Sequence, residues 1–279
     1  MEKNNLCVIG HSHVINFLRA CCKDISILDH ENYDKLQLKN NFSDLIRKNN
    51  FFLKHALKAF IIPPNSNWGN IAVSRVDDGK EHIDVVTGFE ALLRSLKDTQ
   101  ESDILISFLN GNEHSVISMI QHPVPYEFFL PNEHEDSGYD NNRQVVPYFI
   151  IEKQMIQAIN STVSCLSVAR HILPNMRIIH VLPPPPISSE SQIRKAPEVF
   201  KNMIDQYGIS PIKLRVKYYQ LYANMLKNLL QTRNIEFLYP PSASLDEYGA
   251  LKTEYAFAAA HANEAYGTLT AELISNLIS

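Results

Sequence analysis

Cysteine is scarce and unpatterned in this chain: Cys7, Cys21, Cys22 and Cys165 are its four, with no Cys-x-x-Cys unit among 279 residues. Secreted disulfide frameworks are far denser, so buried thiols in a reducing compartment are expected. No block of Lys or Arg occurs and the net charge is -4, which argues against a basic face for nucleic acid. Nothing points to acidic substrates or a membrane surface either. No uninterrupted apolar run reaches the length of a membrane span, and the apolar stretch in the opening MEKNNLCVIG is too short for a signal peptide. Internal repeats and low-complexity segments are absent as well. The expectation is a cytoplasmic, bacterial-type protein with no nucleic-acid partner and no membrane contact. Its 45% hydrophobic and 20% charged residues are ordinary for a globular chain, and this length buries a core without disulfides or metal.

Four short, continuously apolar runs punctuate the sequence: Leu6–Gly10, Asp103–Leu109, Arg177–Leu182 and Glu236–Tyr239. The third is stopped by Pro183–Pro186 and the fourth by Pro240 and Pro241. Such runs suit parallel strands covered on both faces. Ile71–Val73 is a candidate fifth strand. Amphipathic stretches lie between them, at Val86–Leu96, Tyr148–Leu173, Ile212–Leu230 and Tyr266–Ile278. Strands alternating with helices predict one α/β domain over 1–279, a doubly wound, mainly parallel sheet in three layers. The polar connection 121–147, which carries Tyr126, Phe128 and Phe129, is either a substrate-side lid or a mobile insertion. Residues 187–211 form a second candidate cap.

Ligands of open α/β sheets bind beyond the carboxyl ends of the strands. Three polar clusters fall at such positions or near the C-terminus. They are Gly10-His11-Ser12-His13, Asn110-Gly111-Asn112-Glu113-His114, and His261-Ala262-Asn263. A serine on a strand-to-helix turn lies by free backbone N–H groups that favour developing negative charge. A distant histidine can take its proton, and an asparagine amide can donate to an oxyanion. Each residue also has a plainer reading: Ser12 as an N-cap, Asn112 as a turn former, His261 as a packing residue. His11, His13 and His114 read as core or surface residues more readily than as catalysts.

The order of these blocks resembles that of the SGNH (GDSL-like) hydrolases. VIGHSHVINF is similar to their first block, Gly-Asp-Ser-(Leu or His), with His11 in place of the aspartate. FLNGNEHS resembles the Gly-x-Asn-Asp block, with Asn110 at the glycine and Glu113 at the aspartate when aligned on Asn112. HVLPPPP resembles the proline-rich exit of the next strand, and YGALKTEYAFAAAHANEAYG the final histidine block. The resemblance implies an SGNH/flavodoxin-like fold, Ser12 as nucleophile, His261 as general base, and the Ser12 N–H and Asn112 as oxyanion donors. Gly69, in NSNWGN, is the best match to the remaining glycine; the neighbouring Trp68 reads equally well as core. His11, His13, Asn110, Glu113 and His114 fall on the substrate side.

One departure bears on activity. The family carries an aspartate three residues before the histidine, where this chain has Ala258. Three readings follow: a Ser–His dyad oriented by a backbone carbonyl, an acid from Glu254 or Asp246, or a catalytically impaired domain that binds a saccharide or a partner protein. The leading function is a serine-dependent acyl-ester hydrolase or O-acyltransferase acting on short acyl groups of a carbohydrate or similar small polar substrate, with no cofactor. The competing metal-dependent reading takes GHSH and GNEH as relatives of the GHxH and GNHE clusters of metallophosphoesterases. Their order is inverted and the DxH and GD motifs are missing, so no metal site is assigned. Oligomeric state is left open.

Overall fold

The computed structural model describes residues 4–21, 55–62, 71–96, 103–109, 111–131 and 142–278. β1 (Asn4–Gly10) leads into α1 (Ser12–Cys21), and β2 (His55–Ile61) follows. A hairpin of β3 (Ala72–Asp77) and β4 (Lys80–Val85) precedes α2 (Thr87–Ser95). Then come β5 (Ile104–Phe108), α3 (Glu113–Ser118), β6 (Tyr126–Glu127), β7 (Gln144–Val145) and α4 (Tyr148–Ile172). β8 (Arg177–Val181) is followed by α5 (Glu190–Lys195), α6 (Lys201–Tyr207) and α7 (Ile212–Gln231). The chain closes with β9 (Glu236–Leu238), the hairpin β10 (Ala256–Ala258) and β11 (His261–Ala262), and α8 (Glu264–Ile278).

The central sheet has five strands in the order β2-β1-β5-β8-β9, and every pairing within it is parallel. Side chains alternate between two cores, as a strand's period of two requires. Leu6 and Val8 of β1 with Ile104 and Ile106 of β5 pack under α1 and α8. Cys7 and Ile9 with Leu105 face α2 and α4 on the other side. This is the doubly wound α/β architecture expected from the sequence. The described thiols Cys7, Cys21 and Cys165 are all buried, and burial pushes Cys165 up to about 12. Among the described residues, no helix is long and apolar enough to cross a membrane.

Two strand expectations are corrected. The segment around Ile71–Val73 does form a strand, but it pairs antiparallel with β4 outside the central sheet. The fifth sheet strand is instead β2, which among the described residues pairs only with β1. Its sequence, HALKAFI, places a lysine inside the run; an edge strand tolerates that, and it hides the apolar signature used to find the buried strands. Where described, the 121–147 connection is packed rather than loose: Phe128 is fully buried and the Tyr126 and Tyr218 hydroxyls lie 2.6 Å apart.

Helices α1 and α8 meet at Gly267, where a Cβ would collide with the backbone carbonyl of Asn16. Close by, Asn16 Nδ2–H donates to the Ala262 carbonyl, joining α1 to β11. Gly267→Ala is expected to lower the free energy of unfolding by about 1–3 kcal/mol, the usual cost of overpacking. Urea unfolding measures it, and an unchanged midpoint would contradict the close approach.

Two core histidines couple the fold to pH. His180 is buried with Nδ1 3.2 Å from Ser107 Oγ, and burial pushes its pKa down to about 4. Burial pushes His114 down to about 3. Between the unfolded value of about 6.5 and these values, the unfolded chain holds protons that the folded chain does not. Stability therefore rises with pH across that window and is lost as pH falls. From pH 7 to 5 each is expected to withdraw about 2 kcal/mol. His180→Gln should flatten the dependence of the urea midpoint on pH.

Candidate active site

The strand β1 delivers Ser12 to the first position of α1. Its hydroxyl does not serve as a helix cap. Ser12 Oγ–H donates to His261 Nε2 at 2.8 Å. His261 opens β11, across the hairpin from Ala258, and its Nδ1–H donates to Glu198 Oε1 at 2.6 Å. The second carboxylate oxygen, Glu198 Oε2, accepts the Ala260 N–H at 3.0 Å. A continuous chain of hydrogen bonds thus runs from a serine hydroxyl through an imidazole to a doubly anchored carboxylate.

Glu198 is the residue that the sequence reading missed. It lies in the 187–211 segment, in a single 3₁₀ turn between α5 and α6. The position usual for the acid, Ala258, is buried and has no carboxylate to offer. Glu198 adopts φ 53, a left-handed conformation uncommon for a residue with a Cβ; such strain gathers where the surroundings over-determine it. The surroundings do so here. Ser189 accepts the Gln192 N–H at the start of α5, the Gln192 side chain donates to the Phe257 carbonyl, and the Ala259 N–H donates to the Ala196 carbonyl. These bonds lace the segment to β10–β11 and hold the carboxylate against the imidazole. Partial burial alone would raise the Glu198 pKa. The hydrogen bond and charge of His261 and the Ala260 N–H outweigh this and hold it below the usual carboxylate value.

His261 Nδ1 is taken by Glu198 rather than by either of the other two acid candidates. Asp246 Oδ1 accepts the N–H groups of Tyr248 and Ala250 and so shapes its own turn. Glu254 meets the site region through its backbone carbonyl, which accepts from Asn263 Nδ2. Neither replaces the acid at Ala258. Distance along the chain hid the alternative, since Glu198 and His261 are 63 residues apart.

Asn112 stands at the N-cap position of α3 but makes no side-chain cap bond. Its Oδ1 instead accepts from His13 Nε2–H at 2.9 Å, which leaves the Nδ2 hydrogens to point to another acceptor. The His13 ring lies 5.1 Å from that of His261, so Ser12, His13, Asn112 and His261 surround one point. Burial, with the neighbouring His261, drives the His13 pKa to about 3, so the ring is neutral and its Nε2 proton fixes the amide's orientation. Gly111 makes room for this contact. It sits at φ +115, and a Cβ there would lie 2.8 Å from Pro183 Cβ and 3.0 Å from the His13 ring. Pro183, the first residue after Leu182 at the exit of β8, thus packs beside the site. His11 N–H donates to the Phe108 carbonyl at 3.4 Å, and burial lowers its side-chain pKa to about 4.

Two of the expected substrate-side residues are turned away. The Glu113 carboxyl accepts the Gly111 N–H at 2.9 Å and the Thr162 hydroxyl at 2.6 Å, bracing the loop that carries Asn112; burial raises its pKa. His114 is buried with its ring edge against Tyr219 and Nε2 3.1 Å from Ser115 Oγ. The resemblance puts Glu113 at the family's aspartate and leaves His114 as a candidate substrate-side residue, but the α3 helix rotates successive side chains by about 100°. Gly69, Trp68, Asn110 and Cys22 lie outside the described residues. Among the described residues, no group of three His, Cys, Asp or Glu side chains is arranged to hold a metal ion.

Chemically, the arrangement presents a hydroxyl bonded to a base, a base oriented by an acid, and donors at a helix start. No family model matches the chain, and no curated protein matches it. Solved structures do. The periplasmic domain of a lipopolysaccharide acetyltransferase from Salmonella ser. Paratyphi A is similar over 99% of this chain and 84% of its own, with a TM-score of 0.48 and 14% identity. A carbohydrate acetylesterase from Sinorhizobium meliloti is similar over 99% and 98%, with a TM-score of 0.42 and 12% identity. A GDSL-like lipase from Bacteroides thetaiotaomicron is similar over 99% and 87%, with a TM-score of 0.42 and 11% identity.

Proposed function

We propose that this protein is an acyl-ester hydrolase or O-acyltransferase that uses Ser12 as nucleophile, His261 as general base and Glu198 as the orienting acid. The observation that carries the proposal is the unbroken bond path from Ser12 Oγ through both His261 nitrogens to Glu198. In the first step Ser12 Oγ attacks the ester carbonyl carbon while its proton passes to His261 Nε2. Glu198 stabilises the imidazolium and keeps Nδ1 protonated, so that Nε2 is the nitrogen facing the serine. The oxyanion is met by the Ser12 N–H, at the positive end of α1, and by the Asn112 amide held in place by His13. Collapse breaks the ester bond, and the departing alkoxide takes the proton from His261. A water or an acceptor hydroxyl then gives its proton to His261 and attacks the acyl-serine carbonyl; collapse breaks the bond to Ser12 Oγ, which takes the proton back from His261.

Hydrolase and transferase share each of these groups and differ in how well the site excludes water from the acyl-enzyme. The substrate proposed is a short acyl group carried by a carbohydrate or a similar small polar molecule. With Glu198 in place, the reading as a catalytically impaired domain loses its main support, the alanine at 258.

The test is turnover of p-nitrophenyl acetate together with labelling by a fluorophosphonate. Ser12→Ala is expected to abolish both. Glu198→Gln should lower kcat about 10²- to 10⁴-fold, the range for losing the group that orients a catalytic histidine, while Glu254→Gln and Asp246→Asn should change it by less than about threefold. Equal turnover by wild type and Ser12→Ala would sink the nucleophile assignment. A loss at Glu254 matching that at Glu198 would sink the acid.

A further inference from the structure

A groove of about 530 Å³ lies between the 121–147 connection, α3, α4, α6 and α7, and no step of the acyl transfer uses it. Two of its walls begin at the candidate site. Ile117 lies a little over one helical turn, about 7 Å, along α3 from Asn112. Met203 belongs to α6, which starts directly after the 3₁₀ turn that carries Glu198.

The lining decides the chemistry of the occupant. Among the described residues that line it there is no Asp, Glu, Lys or Arg, so nothing offsets the charge of a phosphate, a carboxylate or an ammonium group. Three amides line it, Gln121 and Gln144 from the 121–147 connection and Gln154 from α4. Each amide offers both donors and an acceptor, the pairing that a row of neighbouring hydroxyls needs. Between them stand Tyr207 and the His122 ring with aliphatic neighbours such as Met203; these give flat apolar faces of the kind that cover C–H groups. Tyr126 and Tyr218, also in the wall, have their hydroxyls bonded to each other. A bare acyl chain would fill the apolar part and offer nothing to the amides, of which Gln121 Nε2 already donates to the His122 carbonyl.

We propose that this groove is a subsite for an uncharged saccharide, holding the sugar next to the one whose ester reacts at Ser12. The inference rests on the acyl-ester reading for the role of the bound sugar, whereas binding itself is independent of it. The 121–147 connection then contributes through its described residues as a wall of the binding site.

The experiment titrates neutral trisaccharides (xylotriose, cellotriose and chitotriose) into the Ser12→Ala protein by calorimetry, with dodecanoate as the apolar comparison. At least one trisaccharide should bind, and Gln154→Ala and Tyr207→Ala, both on exposed helix positions, should each weaken it about tenfold or more at an unchanged urea midpoint. Gln154→Glu should weaken it as well. Saccharide binding that neither substitution touches would overturn the subsite, as would tighter binding of dodecanoate or no trisaccharide binding at all. Fluorophosphonate labelling of the wild type separates the two readings: absent labelling removes the acyl-ester reading, whereas absent sugar binding alongside normal labelling removes only the subsite.

Discussion

Parallelism of the central sheet is the constraint from which the site follows. Because all five strands run the same way, whatever follows β1, β5 and β8 must emerge at one edge. Ser12, Asn112 and the 187–211 segment are those followers, and the C-terminal hairpin adds His261 to them. Sheet burial on both faces in turn demands helices on both faces, and α1 can bring Ser12 to that edge only by lying close against α8. Gly267 allows that approach.

At this edge a chemical need is met from an unexpected place. The imidazole of His261 requires an acceptor at Nδ1 to present Nε2 to the serine. Nothing in that requirement specifies the segment that provides it. A carboxylate at 258 would arrive from the hairpin strand opposite the histidine; Glu198 arrives from the neighbouring cap segment, and the hydrogen bonds from Gln192 and Ala259 keep that segment in register with the hairpin. The same segment continues into α6, whose Met203 and Tyr207 line the groove.

Legibility in the sequence followed the range of the forces involved. The buried strands Leu6–Gly10 and Asp103–Leu109 were readable because two-sided burial writes a continuous apolar run into a few adjacent residues. The helices at 148–172 and 212–231 were readable from their periodicity. β2 was not: an edge strand pairs on one side only, and its lysine breaks the run. Glu113, matched to the family's aspartate, and His114, a candidate substrate-side residue, are both turned into the interior by helix geometry, where one braces the loop and the other packs against tyrosines.

The sequence by itself determined the sheet's layered architecture and the order Ser12, Asn112, His261, because these depend on local patterning and on blocks of a few residues. Only the tertiary structure decided what stands behind His261. An orienting acid needs one oxygen within hydrogen-bond reach of Nδ1, a condition on distance in space, and Glu198 meets it at 2.6 Å across 63 residues of chain. The groove was invisible for the same reason: its lining comes from α3, the 121–147 connection, α4, α6 and α7, and it exists only where the fold brings them together.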